Sequence, residues 1–140
     1  MKTFYKKCRE YFSRYALSIA AGIACVVIVG EIIYRLTKIL WLPAVASTIL
    51  DPAAFYSVAY LQNRKNQNLK SLAMEYLPAG VLNNFFRPFL LYWSAKMLNN
   101  VMAGNLIGMI LDYAIFIGLC VISYELTRKI WPHWFARQSA

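Results

Sequence analysis

Four apolar runs, each long enough to form a membrane-crossing helix, constrain this chain more than any other feature. A hydrocarbon layer about 30 Å thick is crossed by about 20 mostly apolar helical residues. The first run, from residue 15 to 34, carries one charge, Glu31, near its far end. The second, from 39 to 61, contains Pro43, Asp51 and Pro52; it is expected to kink, with backbone groups freed near its middle. The third, from 72 to 98, is the least regular and the one hydropathy ranks lowest, holding Glu75, Pro78, Asn83, Asn84, Arg87 and Pro88. The fourth, from 101 to 126, is interrupted only by Asn105, Asp112 and the terminal Glu125. Composition agrees, because a 140-residue chain that is 60% hydrophobic is too apolar for a soluble domain of that size. The expected fold is all-α: one transmembrane domain over residues 1–140 with four membrane helices.

Basic residues orient the spans. Lys2, Lys6, Lys7, Arg9 and Arg14 precede the first; Arg64, Lys65 and Lys70 separate the second from the third; Arg128, Lys129 and Arg137 follow the fourth. The opposite loops hold only Arg35, Lys38 and Lys96, so the positive-inside rule puts both termini in the cytoplasm. The net charge of +9 is then a topology and anionic-lipid signal, and no nucleic-acid partner is expected. A signal peptide would look similar at first, but the apolar run continues through Ile32 and Ile33, past any small-residue cleavage site. The segment is therefore read as a retained anchor.

Both ends have interfacial character. Phe4, Tyr5, Cys8, Tyr11, Phe12 and Tyr15 recur on one helical face, and residues 3–14 are expected to form a membrane-surface helix leading into the first span. In the tail, residues 127–140, Trp131, Trp134 and Phe135 follow Arg128 and Lys129, a mixture that settles at headgroup level. Cys8, Cys25 and Cys120 are scattered and form neither a disulfide framework nor a metal spacing, so no metal or cofactor is expected.

The chain also repeats itself loosely. Ile49-Leu50-Asp51-Pro52-Ala53-Ala54-Phe55 parallels Ile110-Leu111-Asp112-Tyr113-Ala114-Ile115-Phe116, and Gly22 and Gly80 occupy similar points in spans one and three. The implied unit is a two-span hairpin copied once, giving parallel repeats related by an axis along the membrane normal. Chance likeness between apolar segments is the competing explanation.

Gly80-Val81-Leu82-Asn83-Asn84 entering a span, Asn100-Val101-Met102-Ala103-Gly104-Asn105-Leu106-Ile107-Gly108, and the basic Thr127-Arg128-Lys129 together resemble the GtrA-like family. The first half, with Gly22 in its first span and Tyr60-Leu61-Gln62-Asn63-Arg64-Lys65 at its exit, is similar, so the resemblance covers about residues 15 to 131. The chain departs from the pattern where Gly22-Ile23-Ala24-Cys25 lacks the asparagine and where Asn66 and Gln67 replace aromatic residues. The resemblance implies a four-span protein of the cytoplasmic (inner) membrane that flips a polyprenyl phosphate, or a sugar linked to one, for cell-envelope polysaccharide synthesis or glycosylation.

Charge at membrane depth costs about 2.5–3.5 kcal/mol per residue and is normally paired or functional. Asn83 and Arg87 are stacked on one helical face, where an amide and a guanidinium can grip phosphate oxygens, and Pro88 can open a kink beside them. Asn84 and Lys38 complete the candidate headgroup set, with Lys38 and Lys96 equally readable as interfacial anchors. The competing reading is structural: Arg87 neutralises Asp51, Asp112 or Glu31, the intramembrane acids that otherwise serve pairing or proton coupling. Glu31 and Arg35 have the spacing of a local helical ion pair.

No catalytic constellation emerges. The lone histidine, His133, lies among interfacial aromatics, and the chain is expected to be a carrier rather than an enzyme. Two alternatives stand beside flipping: a non-transporting anchor for a membrane glycosyltransferase, and a small proton-coupled transporter. Gly104 and Gly108 have the small-xxx-small spacing that suits close packing or a homo-oligomer.

Overall fold

The computed structural model describes residues 2–63 and 69–130, apart from the side chains at 2, 63, 69–78, 124, 127, 128 and 130. The described residues form four helices: α1 (Lys2–Thr37), α2 (Trp41–Asn63), α3 (Leu69–Leu98) and α4 (Val101–Ile130). Each packs against its sequence neighbours, and α4 returns to α1, so the four close into an antiparallel ring. Three are long and apolar enough to cross a membrane, over Thr3–Thr37, Trp41–Gln62 and Val101–Ser123. The third helix is as long as the fourth, but its described part carries Asn83, Asn84, Arg87 and Lys96.

Residues 3–14 continue into the first span without a break. No glycine or proline interrupts the stretch before Gly22, so nothing stops helix propagation there. That segment runs beside α4: Lys7 pairs with Glu125, and the Tyr11 ring meets Phe116 edge-on at 6.4 Å. The expected surface residues Phe4, Tyr5 and Phe12 remain exposed, while Tyr15 is buried. The expected interfacial tail begins within α4, which continues to Ile130, while its Trp131, His133, Trp134 and Phe135 lie outside the described residues, as do Arg64, Lys65 and Arg137.

The two tight turns are capped locally. Lys38 adopts φ 59° and Asn99 φ 49°, left-handed residues that end α1 and α3. Asn tolerates this conformation readily; Lys38 is held in it by its amide, which donates to the Tyr34 carbonyl at 2.8 Å. The Asn100 side chain accepts from the Ala103 amide at 3.0 Å and caps α4. Prolines are accommodated within continuous helices: Pro43 sits in the first turn of α2, where its missing donor costs little, and Pro52 and Pro88 lie within unbroken helix.

Small residues bring the backbones together. A Cβ on Gly104 would overlap the backbone of Ala95, so α3 and α4 touch main chain to main chain near the linkers. Towards the other end, an aromatic cluster fills the ring: Phe55 lies 6.0 Å from Tyr15, 6.1 Å from Tyr113 and 6.1 Å from Phe116, centroid to centroid. Between the small-residue contact and the aromatic cluster lies a polar layer.

Candidate functional site

The polar layer draws on all four helices. Asp51 lies ten residues into α2 and Asp112 eleven into α4, while Arg87 is eleven from the end of α3. At a rise of 1.5 Å per residue, all three lie about 15–17 Å from the helix ends at the linkers. They therefore share one level although they are far apart in sequence.

Arg87 joins the other two. Its Nη1 lies 2.9 Å from Asp51 Oδ2 and its Nε 2.8 Å from Asp112 Oδ2, and all three side chains are buried. The planar guanidinium allows this: its donors diverge at fixed angles and engage two carboxylates at once, which an ammonium point charge does less well. Nη1 is also 3.5 Å from the Ser47 carbonyl, one turn before Asp51. The Tyr113 hydroxyl donates to Asp51 Oδ1, so both oxygens of that carboxylate are engaged.

α1 contributes an absence of side chain. A Cβ on Gly22 would overlap Asp51 Oδ1 and the Tyr113 hydroxyl, so glycine is what lets α1 close over the site. The same number of residues separates Gly22 from Asp51 as separates Asn83 from Asp112. Asn83 is fully buried and interacts with the Asp112 carboxylate, while its amide makes no hydrogen bond of ordinary geometry. Gly80 lies beside the Tyr56 hydroxyl, 3.6 Å from where its Cβ would be.

A half-open cavity of about 220 Å³ borders this cluster. It is lined by Asp51, Pro52 and Tyr56 of α2, by Gly80, Val81, Asn84 and Arg87 of α3, and by Tyr113 of α4, with Phe55 and Phe116 adding apolar wall. Asp112 and Asn83 do not line it. Because its other lining residues lie beyond Asp51 in α2 and before Arg87 in α3, the cavity extends from the cluster towards the end where α1 begins and α4 ends. Val81, 65% exposed, forms part of the rim between α2 and α3.

Of the candidate residues, Asp51, Asp112, Arg87 and Asn83 converge, and Asn84 joins them at the cavity wall. Glu31 and Lys38 stand apart. Glu31 receives Arg35 Nε at 2.8 Å, and Lys38 sits over the Tyr34 ring at 6.0 Å, both near the linker end. Lys96 lies in the last turn of α3, over the Trp93 ring at 5.2 Å. Sequence reasoning missed Tyr113, Tyr56 and the role of Gly22 in the site. Tyr113 had a signal in following Asp112 directly, but adjacent helical residues point about 100° apart, so chain proximity does not bring the two to a common partner.

Among the described residues no cluster of histidine, cysteine, aspartate and glutamate is arranged to hold a metal ion. No family model, curated protein or solved structure matches this chain.

Proposed function

We propose that this protein is a carrier that moves the phosphate of a polyprenyl-phosphate lipid, or of a sugar linked to one, across the cytoplasmic membrane. The observation that carries the reading is the half-open cavity about halfway along the helices, where Arg87, Asn84 and the tyrosines Tyr56 and Tyr113 border one space. The guanidinium, the Asn84 amide and the Tyr56 hydroxyl are donors suited to phosphate oxygens, while the single Tyr113 proton is given to Asp51. Ligand pockets for drug-sized molecules typically measure about 300–1,000 Å³. A volume near 220 Å³ suits a phosphate or a single sugar phosphate, with the prenyl tail left in lipid. The resemblance of Gly80–Asn84 and Asn100–Gly108 to the GtrA-like family supports the same reading.

The carrier has four spans, α3 included. Its polar Asn83 and Arg87 turn inward, whereas Val81, Leu82, Phe85, Phe86, Phe89 and Trp93 are exposed on its outer side. That division explains how a helix of modest hydropathy can face lipid. Basic residues in the first turns of α1 and between α2 and α3 favour an orientation with both termini in the cytoplasm, so the cavity is reached from the cytoplasmic half. The convergence of Asp51 and Asp112 on one guanidinium supports an origin in two parallel hairpin repeats. A homo-oligomer suits a ring this small handling a lipid headgroup.

A second reading follows from the same geometry. Arg87 is already held by two carboxylates, which suits a structural pin in a membrane anchor for a glycosyltransferase. Native mass spectrometry of the purified protein with polyprenyl phosphate, against excess ordinary anionic phospholipid, separates the two. Gly80→Ile narrows the cavity without touching the three charged residues, and Arg87→Gln removes the guanidinium. The carrier reading expects selective binding that both substitutions weaken. Unselective binding, or selective binding that survives both, leaves the anchor reading.

A further inference from the structure

The two carboxylates on Arg87 do not occupy equivalent places. Asp51 borders the cavity and Asp112 does not. Asp51 also shares its other oxygen with Tyr113, a second cavity residue, whereas Asp112 is fully buried beside Asn83. An anion entering the cavity thus meets Arg87 from the Asp51 side, while the Asp112 contact lies behind it.

Charge constrains what happens next. Two carboxylates and one guanidinium leave one uncompensated negative charge in the buried cluster. The charged and titratable groups facing Asp51 are Arg87 from α3 and Tyr113 and Asp112 from α4, with Tyr56 one turn along α2 and Cys120 beside Tyr56. From α1 the site meets Gly22, which carries no charge. Among the described residues no second cation lines the cavity or contacts Asp51 to balance an added anion. Each unbalanced ion taken from water into a protein interior costs several kcal/mol, so a second net negative charge is strongly disfavoured.

Resting on the carrier reading above, we infer that Asp112 is the permanent counter-ion of Arg87 and that Asp51 is an exchangeable one, displaced by a phosphate oxygen as it takes up one proton. The Nη1 to Asp51 Oδ2 contact breaks, and the same N–H donates to the phosphate oxygen. A proton from water adds to the released carboxylate of Asp51, and the Tyr113 hydroxyl retains its acceptor. The cluster's net charge is the same before and after. Binding of one singly charged phosphate is therefore coupled to uptake of one proton, and affinity rises as pH falls.

The test uses the full chain in nanodiscs of neutral phosphatidylcholine, with a short polyprenyl methyl phosphate as probe. This diester keeps a single negative charge from about pH 5.5 to about pH 8, so the ligand itself does not titrate. Kd is expected to rise about tenfold per pH unit above the range in which Asp51 titrates. Asp51→Asn, which fixes the neutral form, is expected to bind with an affinity that does not vary with pH, while Asp112→Asn retains the dependence. Proton uptake on adding probe to wild type in weak buffer provides a readout independent of any variant's folding, with about one proton expected per probe bound. Binding without proton uptake overturns this inference and leaves the carrier reading standing. A pH dependence that survives Asp51→Asn and disappears in Asp112→Asn overturns it by reversing the roles. No binding of the probe by wild type at any pH overturns the carrier reading, and this inference with it.

Discussion

Replacing Gly22 with alanine tests whether the polar layer is as closely packed as the geometry requires. In an open helical position the change adds about 1 kcal/mol of stability through helix propensity. At Gly22 the new methyl group would overlap Asp51 Oδ1 and the Tyr113 hydroxyl. Neither atom retreats freely, because Asp51 is also tied to Arg87 and both side chains are buried. Overpacking costs about 1–3 kcal/mol, and loss of a hydrogen bond to a charged group about 1.5–3 kcal/mol. The clash outweighs the propensity gain, and Gly22→Ala is expected to destabilise the fold by about 2–4 kcal/mol. Gly118→Ala is the internal control, since nothing lies within 4 Å of its added Cβ. Reversible unfolding by SDS in mixed micelles should therefore separate the two variants clearly, with Gly118→Ala at or slightly above wild type. Adding Tyr113→Phe to Gly22→Ala should recover part of the loss by removing one overlapping oxygen. If Gly22→Ala is no less stable than Gly118→Ala, α1 does not close over the charged cluster and the reasoning fails.

Further outcomes follow from other contacts. Arg87→Gln strands two buried carboxylates and should cost about 3–5 kcal/mol in the same unfolding assay, with Asp112→Asn in the double mutant returning part of it. Arg87→Lys should recover less than charge alone implies, because one ammonium cannot reproduce the divergent fork. Gly104→Ala drives a methyl into the Ala95 backbone, which cannot rotate away as a side chain can. A loss of about 1–3 kcal/mol is expected, together with an increased α3–α4 separation measured between spin labels near the linker. Lys7→Ala, by contrast, should shift stability by less than about 1 kcal/mol, because the Lys7 and Glu125 side chains are both more than a third exposed.

The approximate bounds of the four helices were legible because long apolar runs advertise themselves in one dimension. A run of apolar residues ended by charges or by Asn99-Asn100 needs no partner to be recognised. The same local logic identified Glu31 with Arg35, since a spacing of four residues fixes their proximity on any helix. It also singled out Arg87, Asp51 and Asp112 as residues requiring an explanation, because ionised groups within apolar runs are costly. What the sequence left open was whether Arg87 met one acid, another or a ligand.

That choice belongs to the tertiary structure. Partner selection depends on how helices rotate and at what depth they cross, and apolar surface says little about either. The contacts of Gly104 with Ala95, and of Gly22 with Asp51 and Tyr113, accompany the arrangement that brings one guanidinium between two acids. Glu31, equally charged in sequence, lies near the linker end and never reaches that layer. The sequence by itself determined the helices and the presence of buried charge; only packing in three dimensions decided which charges meet and which of them border a cavity, because those distances arise between helices rather than along them.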